Sequence, residues 1–163
     1  MRFVLLIPML TLGCKKMFID VSGNVDGKSL NAQSAFWGGP YLIITDLEAD
    51  CVDMAWVLPE YAEESTHNGV DTEESFHALQ VTYESKVKDG KVNVSISDSP
   101  ALAWFLIVEG GEAQAYQASS GHIELEIDKK ERAAGDFSFD FRDDGSLKGE
   151  FRIENCNNLK SQP

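Results

Sequence analysis

The chain has 163 residues, 27 acidic against 14 basic side chains and a formal charge of −13. Proteins that bind nucleic acid gain affinity by neutralising phosphates, so this excess of carboxylates excludes nucleic acid as a partner. The length suits one domain with a hydrophobic core.

The first thirteen residues carry one charge, Arg2, followed by an apolar run from Phe3 to Leu12 broken only by Pro8 and Thr11. The run is shorter than the roughly 20 residues needed to span a bilayer, and fits the apolar region of a secretory signal peptide. Thr11-Leu12-Gly13-Cys14 resembles the lipobox of bacterial lipoproteins, with threonine in place of the more usual leucine three residues before the cysteine. The resemblance implies cleavage after Gly13, diacylation of the Cys14 thiol and anchoring in the lipid bilayer of a bacterial cell envelope. Lys15, rather than aspartate, follows the cysteine and favours the outer membrane where the cell has one. Each buried acyl CH₂ contributes about 0.8 kcal/mol, and two chains hold a protein on a membrane stably. The competing reading is an ordinary signal peptide with a coincidental cysteine.

On the lipoprotein reading residues 1–13 are signal peptide, 14–19 an acylated tether, 20–156 a single β domain and 157–163 a C-terminal tail. Cleavage removes only Arg2 among the charges, leaving 13 basic against 27 acidic side chains and a charge of −14. With Cys14 assigned to lipid, Cys51 and Cys156 remain as one pair in an oxidising compartment and are expected to form a disulfide. The closed loop of about 105 residues is worth up to roughly 4.7 kcal/mol of chain entropy. The rival, Cys51 as a catalytic thiol, is opposed by Asp50 and Asp53, whose charges raise a thiol pKa.

Along the chain, Met17 to Val21 alternates loosely into the turn-rich Ser22 to Lys28, which reads as a hairpin; an EF-hand fails because Val25 and Asn31 occupy the positions of the required glycine and glutamate. Ala32 to Trp37 and Tyr41 to Thr45 read as strands around Gly38-Gly39-Pro40. Asp46 to Asp53 is a polar loop carrying Cys51, Met54 to Leu58 a short apolar segment, and Glu60 to Glu74 an acidic loop. Leu79 to Val87 and Val92 to Ile96 suggest a hairpin across Asp89-Gly90, with Val87 opposite Val92. Trp104 to Val108 is apolar throughout, as in a strand covered on both faces, and Gly110-Gly111 turns it into Glu112 to Ala118.

The last third alternates strictly: Ile123, Leu125 and Ile127, then Phe137, Phe139 and Phe141, then Leu147, Gly149, Phe151 and Ile153. Opposed residues share a face, so pairing Phe141 with Leu147 calls for a three-residue loop, Asp143-Asp144-Gly145, and sets Phe139 against Gly149. About ten short strands following a signal peptide predict an all-β fold, an antiparallel β-sandwich or barrel.

Chemistry is less legible. His122, Glu124 and Glu126 share one face of a strand, and His67 and His77 flank an acidic loop, so these are the weak candidates for metal ligands; a solvated strand face and a solvated acidic loop are the expected readings, and no metal or other cofactor is expected. Motifs for serine nucleophiles, zinc proteases and phosphate loops are missing, and no catalytic residue emerges. Phe36, Trp37 and Tyr41 bracket glycines and are a candidate stacking patch for an envelope protein or glycan, although core packing of the same residues is the favoured reading. Trp56 and Trp104 read as core.

Two stretches, SGNVDGKSLNAQSAFW and GHIELEID…AAGDFSFDFRDDGSLKGEFRIENC, together resemble a group of small bacterial lipoproteins of unknown function. The likeness lies in turn glycines, alternating phenylalanines and two cysteines, so it supports fold and disulfide and transfers no activity. The expectation is a membrane-anchored, non-enzymatic envelope lipoprotein whose β domain binds another envelope or secreted component. The alternatives are a carrier of a small apolar ligand inside a barrel and, after that, a hydrolase.

Overall fold

The computed structural model describes residues 18–51, 75–110, 112–128 and 132–156. Among these residues the fold is all-β, with ten strands and one short 3₁₀ turn. The strands are β1 (Phe18–Val25), β2 (Ser34–Gly38), β3 (Tyr41–Thr45), β4 (Phe76–Tyr83), β5 (Gly90–Ser95), β6 (Ala101–Glu109), β7 (Glu112–Gln117), β8 (Ser120–Ile127), β9 (Ala133–Asp140) and β10 (Gly145–Asn155). Eight of them close a barrel in the order β10-β2-β3-β4-β6-β5-β8-β9 and back to β10, while β1 pairs with β10 and β7 with β6 outside the ring.

Closure is thin at two corners. β10 meets β2 in parallel through Glu154↔Phe36 and Asn155↔Trp37, and β5 meets β6 in parallel at Val94↔Ala101. The barrel is therefore two five-stranded sheets, β2-β3-β4-β6-β7 and β5-β8-β9-β10-β1, joined at their edges. The long strands β10 and β6 make this possible, because each serves one neighbour on one edge and two in succession on the other.

The interior follows from the alternation. Phe137, Phe139, Phe141, Leu147, Phe151 and Ile153 point inward from the second sheet and meet Leu42, Ile44, Leu79, Val81 and Phe105 from the first, all nearly inaccessible to solvent. Phe105 and Phe141 cross the space between the sheets edge to face, centroids 6.3 Å apart, a geometry that matches ring quadrupoles. Gly149 is required on the inner row: a Cβ there would come 2.9 Å from the Phe137 ring, which lies across the vacant position as the cross-strand partner. The apolar run of β6 is buried on both faces as expected. Phe105 and Ile107 face the interior, whereas Leu106 and Val108 join Ile43, Phe76, Ala78 and Cys156 in a second apolar cluster outside the first sheet.

Cys51 and Cys156 form the disulfide, Cα atoms 5.4 Å apart. Gly39-Pro40 turns β2 into β3 with Gly38 opposite Tyr41, and β6 turns into β7 with Glu109 opposite Glu112. Three expectations are corrected. The stretch from Phe18 to Lys28 is not a two-stranded hairpin: its turn closes on a single Val25↔Lys28 bridge, while β1 runs through Gly23 to Val25 and pairs along its whole length with β10, more than 100 residues away. β1 also begins inside the stretch read as tether. Nor do β4 and β5 pair across Asp89-Gly90. β4 lies between β3 and β6, and β5 lies against β8, because both faces of β4 are apolar and need central placement, whereas β5 has one buried residue, Val94.

The third correction concerns the β9–β10 turn. Its loop has three residues, so the phenylalanines keep their shared face, but the loop is Arg142-Asp143-Asp144 and the register moves by two: Phe139 opposes Leu147, Phe137 opposes Gly149 and Asp140 opposes Ser146. Arg142 takes the left-handed conformation (φ 61°), with its backbone N–H held by Asp140 Oδ1 at 2.9 Å, and Phe141 N–H closes the loop on Gly145 O at 2.8 Å. The shift lets Asp26 N–H reach Asp144 O at 2.7 Å, tying β1 to the turn.

Candidate functional site

The segment after β3 and the start of β4 are locked together by Asp46. Its carboxylate accepts from the His77 backbone N–H at 2.7 Å and from the ring Nδ1 at 2.8 Å, while Thr45 Oγ1 donates to His77 O at 2.8 Å. The far ring nitrogen, Nε2, is buried without a hydrogen-bond partner and stands 3.8 Å from Glu109 Oε1. Glu109 in turn pairs with Lys28 at 2.5 Å, and that ammonium holds the Glu109 carboxyl below its ordinary value, with His77 adding to the effect. An aspartate orienting a histidine is half of a nucleophile-activating arrangement. Among the described residues no hydroxyl or thiol hydrogen-bonds to Nε2, and the pair acts as a clamp at the feet of the chain between β3 and β4.

The same rim carries Tyr116 of β7, whose hydroxyl donates to Asp26 Oδ2 at 2.7 Å. The bond and the carboxylate charge push the phenol up to about 12. A phenol held above its ordinary value favours the protonated folded state, so this contribution is complete below about pH 10 and is lost as the pH climbs through about 12. Spectrophotometric titration should place Tyr116 near the upper value, and Asp26→Asn should bring it back towards the lower one; an unmoved titration would remove the hydrogen bond as the cause. Burial drives Tyr83 further in the same direction.

Beside the clamp lies a trough between the start of β1 and the approach to β2. Its apolar half, about 440 Å³, is lined by Phe18, Ile19, Ala32, Ala35, Phe36 and Ala49, together with Gln33, Ser34 and Glu48. Gln33 and Glu48 also line the polar half, about 700 Å³, with Asn31, Asp46, Leu47 and Ser75. The walls are fixed by backbone N–H groups: Gln33 to Thr45 O at 2.8 Å, Leu47 to Thr45 Oγ1 at 3.1 Å and Ala49 to Ser34 Oγ at 3.0 Å. Phe18 stands 43% exposed at the mouth, with the Arg152 guanidinium 5.9 Å above its ring.

The outer face of the second sheet carries a row of charge. Glu124, Asp136, Glu150 and Asp20 oppose one another across β8, β9, β10 and β1, with Lys91 of β5 at the far end, and all five are exposed. Opposed like charges cost a few tenths to about 1 kcal/mol each.

The candidate residues of the sequence separate. Trp37 turns into the barrel and is 8% exposed, whereas Phe36 and Tyr41 pack on the second cluster outside; alternation in β2 makes one stacking patch of the three impossible, and only Phe36 reaches the trough. Trp104 is half-buried on the outer face of β6. His77 goes to Asp46. His122 lies 3.8 Å from Asp136, Glu124 and Glu126 face solvent, and among the described residues no three such side chains converge as metal ligands. Cys14, Trp56 and His67, with the acidic loop that His67 and His77 flank, lie outside the described residues, His77 excepted. The Asp46 clamp and the trough are missed by sequence reading, since their members come from positions 18 to 77 and share no spacing; the lone signal is the apolar pair Phe18-Ile19 at the end of the stretch read as tether. Comparison of the chain with protein-family models, with curated proteins and with solved structures gave no match.

Proposed function

We propose that the protein is a lipid-anchored binding module of a bacterial cell envelope that holds a protein partner in the trough between β1 and β2. The trough carries this reading: an apolar recess with a polar extension, bordered by a strand, β1, that among the described residues pairs on one edge alone. Thr11 to Cys14 supports the anchor. Four residues from Cys14 to Phe18 reach at most about 14 Å, so acylation at Cys14 keeps the recess beside the membrane and its partner there too.

The carrier reading has less support, because Phe105, Phe139, Phe141 and Phe151 occupy the barrel interior at 1% exposure or less. A glycan is the second reading, favoured by the polar half of the trough, where Asn31, Gln33, Asp46, Glu48 and Ser75 offer amide, carboxylate and hydroxyl groups.

Two measurements test the proposal. Cys14→Ser should move the protein from the membrane fraction to the soluble fraction, and a variant that stays membrane-bound would reject the anchor. A photo-crosslinking side chain at Phe18 should trap a protein in intact envelopes, while the same group at Gln114 on β7 should not; equal yields at both positions, or none at either, would reject the trough.

A further inference from the structure

Among the described residues two strands, β1 and β7, have a partner on one edge alone, and they differ in chemistry. β7 turns Glu112, Gln114 and Tyr116 towards the interior side, and inward polar groups are a device that blunts an edge against pairing. β1 instead turns Ile19 and Val21 inward, opposite Phe151 and Gly149, and both stay half-covered while packing on the core. It contains neither lysine nor proline. Among the described residues, the backbone from Phe18 to Asn24 makes no hydrogen bond on the edge away from β10. That edge opens into the apolar half of the trough at Phe18 and Ile19.

We propose that the partner docks by strand addition to β1, with an extended segment reading apolar–basic–apolar. This rests on the trough being the recognition surface and names what it takes. Register supplies the pattern, since side chains directly opposed in a sheet share a face. The partner residue opposite Asp20 points outward and extends the row Glu124, Asp136, Glu150, Asp20 by one strand. Asp20 is about 5 Å away across the ladder, well inside the screening length of about 8 Å at physiological salt, so lysine or arginine is favoured there. The residues on either side, opposite Ile19 and Val21, point inward and complete the cover of two half-exposed side chains. A second copy of this chain is the wrong occupant: β1 against β1 brings two such carboxylate rows end to end on molecules whose charge after cleavage is −14.

The test titrates the mature acylated protein in neutral detergent with capped peptides that have Ile-Lys-Ile or Ile-Glu-Ile at the centre. The lysine peptide should bind about five- to tenfold tighter, as one attractive cross-strand pair exchanged for one repulsive pair implies, and should slow hydrogen exchange of β1 amides. The exposed substitution Asp20→Lys should invert the order of the two peptides with the melting temperature retained. Equal binding of the two peptides, an unchanged order in Asp20→Lys, or protection appearing on β7 instead would overturn the proposal. So would a dimer of the protein alone formed through β1. If neither peptide binds while the Phe18 crosslink still traps a protein, the basic strand is wrong and the trough stands; loss of both rejects both.

Discussion

Replacing Cys51 and Cys156 together by alanine should destabilise the domain by about 3 kcal/mol, within the 2–5 kcal/mol typical for a native bridge, and lower the melting temperature by roughly 10 °C. The bond spans 105 residues, so in the chain-entropy view its removal frees a large part of the unfolded ensemble. Its place in the fold adds to the effect. Cys156 N–H donates to Trp37 O at 2.6 Å, extending the two-residue parallel seam between β10 and β2, and Cys51 pins the chain leaving β3 against that corner. Urea unfolding of the oxidised and double-alanine proteins measures the loss. Faster hydrogen exchange should concentrate at Trp37 and Cys156, with β8 and β9 little changed; a loss under 1 kcal/mol would mean that the corner holds without its bridge.

Phe151→Ala should cost about 3–5 kcal/mol, the usual range for deleting a buried aromatic ring. Phe151 is completely buried, stands between Ile19 of β1 and Gly135 of β9, and packs with its ring centroid 6.3 Å from that of Phe137. Collapse into the vacated space is restricted on the β9 side, because the close approach of the Glu124 carbonyl to Gly135 leaves no room there even for a Cβ. The cavity should therefore open under β1, loosening the strand that borders the trough. Exchange at Ile19 and Val21 should quicken more than the global loss of stability accounts for, and Phe151→Leu should recover most of both effects. Uniform acceleration across all ten strands would show that β1 has no separate opening.

Legibility varied with the range of the interaction that decides each feature. The strands β8 to β10 were readable because one face of each is buried and period-two alternation records it residue by residue. The two-sided burial of β6 was readable for the same reason. Partners joined by a short turn were readable too, β2 with β3, β6 with β7 and β9 with β10, but distant partners were not: β1 has alternation too weak to say which strand it joins, and β4 and β5 were both apolar enough to suggest the hairpin that the fold rejects. The β9–β10 turn shows the boundary within one loop, since side-chain parity fixed three loop residues, but the backbone bond from Asp26 to Asp144 accompanies a register two residues away. At the functional surface, alternation in Ser34 to Gly38 already sends Trp37 and Phe36 to opposite faces, and reading the three aromatics as one patch overlooked it.

A β domain with alternating phenylalanine strands and a cysteine pair able to staple it can be read from the residues alone, because burial of a strand face and the chemistry of thiols are written position by position. Tertiary packing alone sets the two thin corners where the sheets close, the hold of Asp46 on His77 and, among the described residues, the apolar edge of β1 left without a partner beside a row of carboxylates. Each of those depends on which strands become neighbours, and that choice is made by packing both sheets at once, a sum over many distant contacts that no local spacing encodes.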